Sequence, residues 1–199
     1  MAISTKQSHE HQLDDDFPSL ENHLLIAMPS LKDPFFKQSV TYVIQHNAEG
    51  AMGVMINQPM PINEADLLEQ LGLNAQEMQQ EKTVLNGGPV QIQRGFVLHR
   101  PLGNWDASMT ITDNVALTTS MDILQQIGNG TGPDDYLMML GYAGWDAGQL
   151  EQEMLENSWL TVPASESLLF ETALEERWIQ ASQLLGIDIH QMSTLFGHS

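Results

Sequence analysis

Hydrophobic and polar positions change their period several times along this chain, and each change marks an element. Leu137, Met138, Met139 and Leu140 form an unbroken apolar run, the pattern of a strand buried on both faces. Gly141 and Gly144 follow, and glycine accepts positive φ without steric cost, so a tight turn is expected there. Asp146 suits a helix N-cap, with Gln149 placed to reach back to it as in a capping box. Trp145 and Leu150 hold the positions of a hydrophobic staple. Ala147, Leu150, Met154 and Leu155 share one helical face, which turns Glu151, Glu153 and Glu156 outward. Asn157 can end that helix in a left-handed conformation, and Trp159, Leu160 and Val162 begin another strand. The result is a strand–turn–helix–strand unit with two tryptophans, expected at the centre of the core.

The same reading carries through the rest of the chain. Residues 23–28 make a short apolar strand stopped by Pro29, and 29–37 a loop in which Asp33-Pro34 opens a turn and Phe35 and Phe36 face outward. Val40, Tyr42 and Ile44 alternate with Thr41, Val43 and Gln45 as a second strand, turning at 47–50 into a return strand at 52–56. Asn63 caps a helix through Leu67, Leu68 and Leu71, closed by Gly72. Strands are expected at 83–85, 95–99, 109–111 and 115–117, then a short helix at 121–127 capped by Thr119 or Ser120. A flexible connection spans 128–133, and 168–170 reads as a brief strand. Thr172 and Glu175 form a capping box for a helix at 173–185, with Leu174, Trp178, Ala181 and Leu185 inward and Gly186 at its end. Residues 1–19 are polar and read as a disordered acidic tail, leaving 20–199 as one domain. Hairpins mixed with isolated helices, without βαβ alternation, indicate the α+β class.

Composition changes the picture in two ways. The 199 residues include no cysteine, which excludes disulfides, thiol nucleophiles and cysteine metal sites. Acids outnumber bases 26 to 7, a net charge of -19, and residues 101–199 hold fourteen acids against Arg177 alone. Phosphate binding needs cations that displace counterions, so direct nucleic-acid binding is disfavoured and could use only Lys32, Lys37, Arg94 and Arg100. No apolar run approaches the ~18 residues of a membrane span. The polar N-terminus is not a signal peptide, so a cytoplasmic location without membrane contact is expected.

The best candidate for ligand binding combines Gly87 and Gly88 with Arg94 and His99. Paired glycines let backbone amides approach a ligand, and Arg94 offers a fixed fork to a small anion. Strand alternation sends Arg94 and His99 to opposite faces unless a bulge intervenes, and a turn plus a satisfied structural histidine is the plainer reading. Ser39, Ser120 and Ser158 have no nucleophile elbow around them, and no residue pattern orients His99 as a base. His9-Glu10-His11 lies in the tail without fixed geometry, and Glu151/Glu153 and Glu175/Glu176 point apart. The turn and helix start at 141–147 suggest an anion cradle, but the glycine spacing is wrong and Asp146 would fill it. No catalytic residue, metal or cofactor is therefore expected.

Several blocks carry a resemblance: LLIAMPSLKDPFFKQSVTYVIQHNAEGAMGVMINQP, LNGGPVQIQRGFVLHRP, LGYAGWDAGQLEQEMLENSWL and the closing RWIQASQLLGID. Over residues 20–198 the chain resembles the AlgH/YqgE-like family of bacterial proteins. The resemblance implies a bifurcated, mostly antiparallel sheet curled into a pseudo-barrel with helices outside. It implies no established reaction, and a transcription-regulator label attaches to part of the family. The expectation is a non-enzymatic regulatory or adaptor protein acting through a small anionic ligand or a protein partner, any effect on transcription being indirect. The alternative is an enzyme acting on a small anionic substrate near Arg94 and His99.

Overall fold

A single long strand organises the molecule. The structure, a computed structural model, describes residues 18–31, 33–78 and 82–186. The tail expected at 1–19, with His9-Glu10-His11, lies outside the described residues save Pro18 and Ser19, as does Lys32. Ten strands form one curled sheet: β1 (His23–Ala27), β2 (Val40–Asn47), β3 (Gly50–Met55), β4 (Pro59–Asn63), β5 (Thr83–Asn86), β6 (Val90–Arg100), β7 (Ser108–Thr110), β8 (Ala116–Thr118), β9 (Asp135–Asp146) and β10 (Trp159–Pro163). Four helices pack against it: α1 (Glu64–Gln70), α2 (Met121–Gly128), α3 (Gln149–Leu155) and α4 (Arg177–Gln183).

The strand order is β10-β1-β2-β3-β9-β6-β8-β7, with β4 and β5 branching off β9. β5 runs parallel to β9, and the other pairs are antiparallel. The branch lies within β9. Met139 and Leu140 pair with β5, whereas Ala143 to Asp146 pair with β3, so the sheet forks and curls into a half-barrel of the α+β class.

The tight turn expected at Gly141 and Gly144 is therefore absent: β9 runs through both. The register jumps from Val90↔Tyr142 to Gly95↔Leu140, a bulge that ejects four β6 residues opposite Gly141. Gly141 has φ +75, and a Cβ there would lie 2.3 Å from the Gly88 carbonyl oxygen. Close backbone approach, which strand propensity does not report, fixes this glycine. Asp146 ends the strand instead of capping α3, and left-handed Gly148 precedes the helix. Gln149 still reaches back, its Oε1 accepting from Asp146 N at 3.0 Å.

Both faces of β1 and β2 are buried. Leu24, Ile26, Tyr42 and Ile44 join the central core with Trp178 and Ala181 of α4, while Leu25, Ala27 and Val43 join Trp145, Leu150 and Trp159 on the other side. A third cluster places Leu68, Ile123 and Ile127 of α1 and α2 against Val97 and Met138. The inward-facing expectation fails for Leu155, which is 73% exposed. Residues 168–170 form a wide helical turn (Ser167–Glu171), not a strand. Thr172 Oγ1 donates to Ser167 O instead of capping a helix, and α4 starts only at Arg177. Arg177 is buried and donates to the carbonyls of Thr172 and Ile56, clamping α4 to the sheet. Burial pushes its guanidinium down to about 10. Asn63 caps α1 as expected, accepting from Asp66 N, and Gly72 closes it with φ +73.

Candidate functional site

Two indoles and one carboxylate build the most developed surface feature. Trp145 at the end of β9 and Trp159 at the start of β10 meet edge to face, with centroids 6.1 Å apart. Phe36 packs edge-on against Trp159 at 5.5 Å, half-buried and not outward as its loop position suggests. A buried indole N–H needs an acceptor. Glu153 of α3 supplies it for both: Trp145 Nε1 donates to Oε2 at 2.9 Å and Trp159 Nε1 to the same oxygen at 2.8 Å. Gln149 Nε2 donates to Oε1 at 2.9 Å.

Glu153 thus faces inward, against the helical-wheel expectation, because the indoles of β9 and β10, which β1, β2 and β3 separate in the sheet, converge on it. Glu151 also turns in, toward His46. Leu20 N donates to His46 Nδ1, so Nε2 carries the hydrogen and donates to Glu151 Oε1 at 2.9 Å.

Above this fixed aromatic floor opens a groove of about 540 Å³. Leu31 and Phe36 flank it on one side, Pro89 and Gly144 on another, and Asp33 and Glu156 bring carboxylates to its edge. These residues come from three of the blocks that carry the family resemblance, far apart in sequence and gathered here by the fork in β9. The tryptophans were legible in the sequence, but not their shared acceptor. The one available signal was an acid on a short helix bracketed by two indoles.

The structure does not gather Gly87, Gly88, Arg94 and His99 into one site. Gly87 N donates to Leu140 O and its carbonyl accepts from Met55 N, both at 2.8 Å, so it splices β3, β5 and β9. A Cβ on Gly88 would lie 2.0 Å from the Tyr142 carbonyl carbon. Both glycines serve close backbone approach, with protein as the partner. Arg94 is exposed on the bulge of β6, donating to Gln91 Oε1 at 3.3 Å with its guanidinium 5.3 Å from the Phe96 ring centre.

His99 is fully buried on the same strand. Its Nδ1 donates to Pro101 O at 3.1 Å, so Nε2 accepts from Thr118 Oγ1 at 2.8 Å. Burial lowers its pKa, which keeps this tautomer neutral. Arg100, a possible phosphate contact by sequence, is already held by Asp135, Glu166 and Glu171 at 2.8–3.0 Å. Among the described residues no three acidic or imidazole groups stand close enough to hold a metal ion, and no helix is long and apolar enough to cross a membrane.

Comparison with known proteins fits this architecture. A family model described as AlgH-like matches residues 24–190. A UPF0301 protein of Saccharophagus degradans is 50% identical over 192 residues, 96% of this chain and 95% of that one. One of Vibrio cholerae is 48% identical over 186 residues, 91% of this chain and 100% of its own. Among solved structures, the AlgH protein from Pseudomonas aeruginosa superposes with a TM-score of 0.75 at 43% identity, covering 98% of this chain and 100% of that chain. A protein from Corynebacterium diphtheriae shares the fold at a TM-score of 0.70 and 17% identity, over 91% of this chain and 94% of its own.

Proposed function

The chain belongs to the AlgH-like family, and from that premise we propose that it is a regulatory or adaptor protein that docks a partner protein in the tryptophan groove. The observation that carries this reading is the double indole clamp on Glu153. It locks Trp145 and Trp159 in place before any partner arrives, so little side-chain freedom is lost on binding. A rigid floor beneath a concavity gives a partner's anchor residue a pocket to fill.

The chemistry of the groove selects its occupant. The buried indoles form the apolar floor, and Asp33 and Glu156 line the groove with negative charge. A partner segment with an arginine or lysine beside an apolar residue fits these walls better than a small anion does. A net charge of -19 keeps nucleic acid away, so any effect on transcription runs through such a partner. An enzyme working at a joint Arg94/His99 site would need both groups in one cavity, whereas Arg94 is exposed on the β6 bulge and His99 is fully buried.

The test is a titration of indole emission with the blocked peptide acetyl-Leu-Arg-Leu-amide, with acetyl-Leu-Glu-Leu-amide as its control. Saturable binding of the basic peptide, weakened up to ~fivefold by Glu156→Lys, is expected, since exposed charge pairs are worth up to ~1 kcal/mol. Equal binding of both peptides, or none of either, overturns the assignment.

A further inference from the structure

A second cavity, remote in sequence from the tryptophan groove, holds opposite charges that leave each other alone. It lies between β5, the loop after α2 and the start of β9, with a volume of about 180 Å³. Lys82 and Asp134 line it together with apolar Met78, Ile127 and Pro133, over the ring of Tyr136. Among the described residues Lys82 and Asp134 form no ion pair, with each other or with any third group. One cavity thus presents a positive pole, a negative pole and an apolar wall.

The positive pole is positioned from below. Lys82 Nζ lies 4.2 Å from the Tyr136 ring centre and donates to Tyr136 O at 3.4 Å, a long bond that leaves its other hydrogens for a ligand. Tyr136 is itself tied down, its hydroxyl donating to Glu64 Oε2 at 2.9 Å. Glu64 is 1% exposed, and its Oε1 has no partner among the described residues. Lys82 and Tyr136 are the groups that act on Glu64, and burial outweighs both to push its carboxyl up to about 7. Below that pH Glu64 is neutral, and the charges left at the cavity are those of Lys82 and Asp134.

We propose that this cavity binds a small zwitterion of the α-amino acid type, its carboxylate on Lys82, its ammonium on Asp134 and its side chain against Met78 and Ile127. A zwitterion has no net charge, so the acidic body of the protein does not repel it as it would a small anion. The size agrees: about 180 Å³ is the share of roughly six water molecules at ~30 Å³ each, room for a ligand of several heavy atoms. The site is independent of the groove, and its failure would leave the docking reading untouched.

The experiment follows the methyl signals of Ile127 and Met78 in the full-length chain by NMR during titration with L-valine, L-valinamide and N-acetyl-L-valine. L-Valine should give saturable shifts. Valinamide lacks the carboxylate and acetylvaline the ammonium, and each should bind at least ~tenfold more weakly, as expected when a charged partner is left unpaired. Lys82→Met and Asp134→Asn should each weaken L-valine by a similar factor, and the exposed position of Asp134 makes its variant safe to fold. No saturable shift with L-valine overturns the proposal. So does equal binding of acetylvaline, which would make the cavity a plain anion site, or equal binding of valinamide. Unchanged affinity in both variants would place the ligand elsewhere.

Discussion

Glu153 and Glu64 each sit among aromatic side chains, and each accepts a hydrogen bond from an aromatic ring's polar tip, yet their surroundings treat them in opposite ways. Glu153 takes two indole N–H groups on one oxygen and a glutamine amide on the other. Glu64 takes one phenol, keeps Oε1 unpartnered and is driven up to about 7 by burial. Burial comes first in the difference: Glu64 is 1% exposed, whereas Glu153 is half-buried and has donors on both oxygens. The first arrangement stiffens a groove. The second leaves a buried group whose charge depends on pH near neutrality.

The largest effect should come from breaking the clamp. Trp159 is buried, packs against both Trp145 and Phe36, and donates to Glu153. Trp159→Ala should cost about 3–5 kcal/mol, from the cavity left behind and the lost donor. Urea unfolding measures it. A cost under ~1 kcal/mol would mean that the groove is a loose surface feature and not an extension of the core.

Next comes Glu64, where the sign is set by the direction of its shift. The folded chain holds the Glu64 proton more tightly than the unfolded chain does, with a pKa raised from 4.5 to about 7. The resulting stabilisation is fully present below 4.5, is lost as pH rises through about 7, and is worth roughly 3 kcal/mol at 1.36 kcal/mol per unit. Glu64→Gln cannot ionise and should flatten that part of the stability–pH curve. A wild-type curve already flat across this window would show that Oε1 is hydrated, and the contrast with Glu153 would collapse.

How much of this was legible follows from which interactions are local. Asn63 as a cap, Gly72 as a stop and the hairpin of β2 and β3 rest on neighbours in the chain, and each is where the sequence places it. Gly141 is different: its reason is the carbonyl of Gly88, more than fifty residues away, and no local rule separates a glycine that turns a chain from one that lets two strands touch. In sequence Gly87 and Gly88 read as a turn or as amides offered to a ligand, and what approaches them in the fold is the backbone of β9 at Gly141 and Tyr142. Strand alternation does not settle the relation of Arg94 to His99, because Arg94 lies in the β6 bulge that interrupts the alternation. The inward turn of Glu153 depended on indoles delivered by two other elements, and Lys82, Tyr136 and Asp134 belong to no motif, so topology alone brings them together.

The smallest expected effects test the comparison most sharply, because they remove one donor from each carboxylate. Gln149→Ala takes the amide from Glu153 but leaves both indole N–H groups in place, and the lost contacts are exposed. Its cost should stay below ~1 kcal/mol and vary little with pH, the usual scale for a partly solvated hydrogen bond. Tyr136→Phe takes the one donor that Glu64 has among the described residues, leaving both oxygens of a buried carboxyl without a partner there. That should cost about 1–3 kcal/mol, more at about pH 8 than at about pH 5, because the ionised form suffers most from a missing donor. The deletions are chemically similar, so the difference between them measures what the remaining partners contribute. Equal costs with parallel pH curves would mean that Glu153 relies on Gln149 as heavily as Glu64 relies on Tyr136, and the indoles would then be neighbours of the carboxylate without being what holds it.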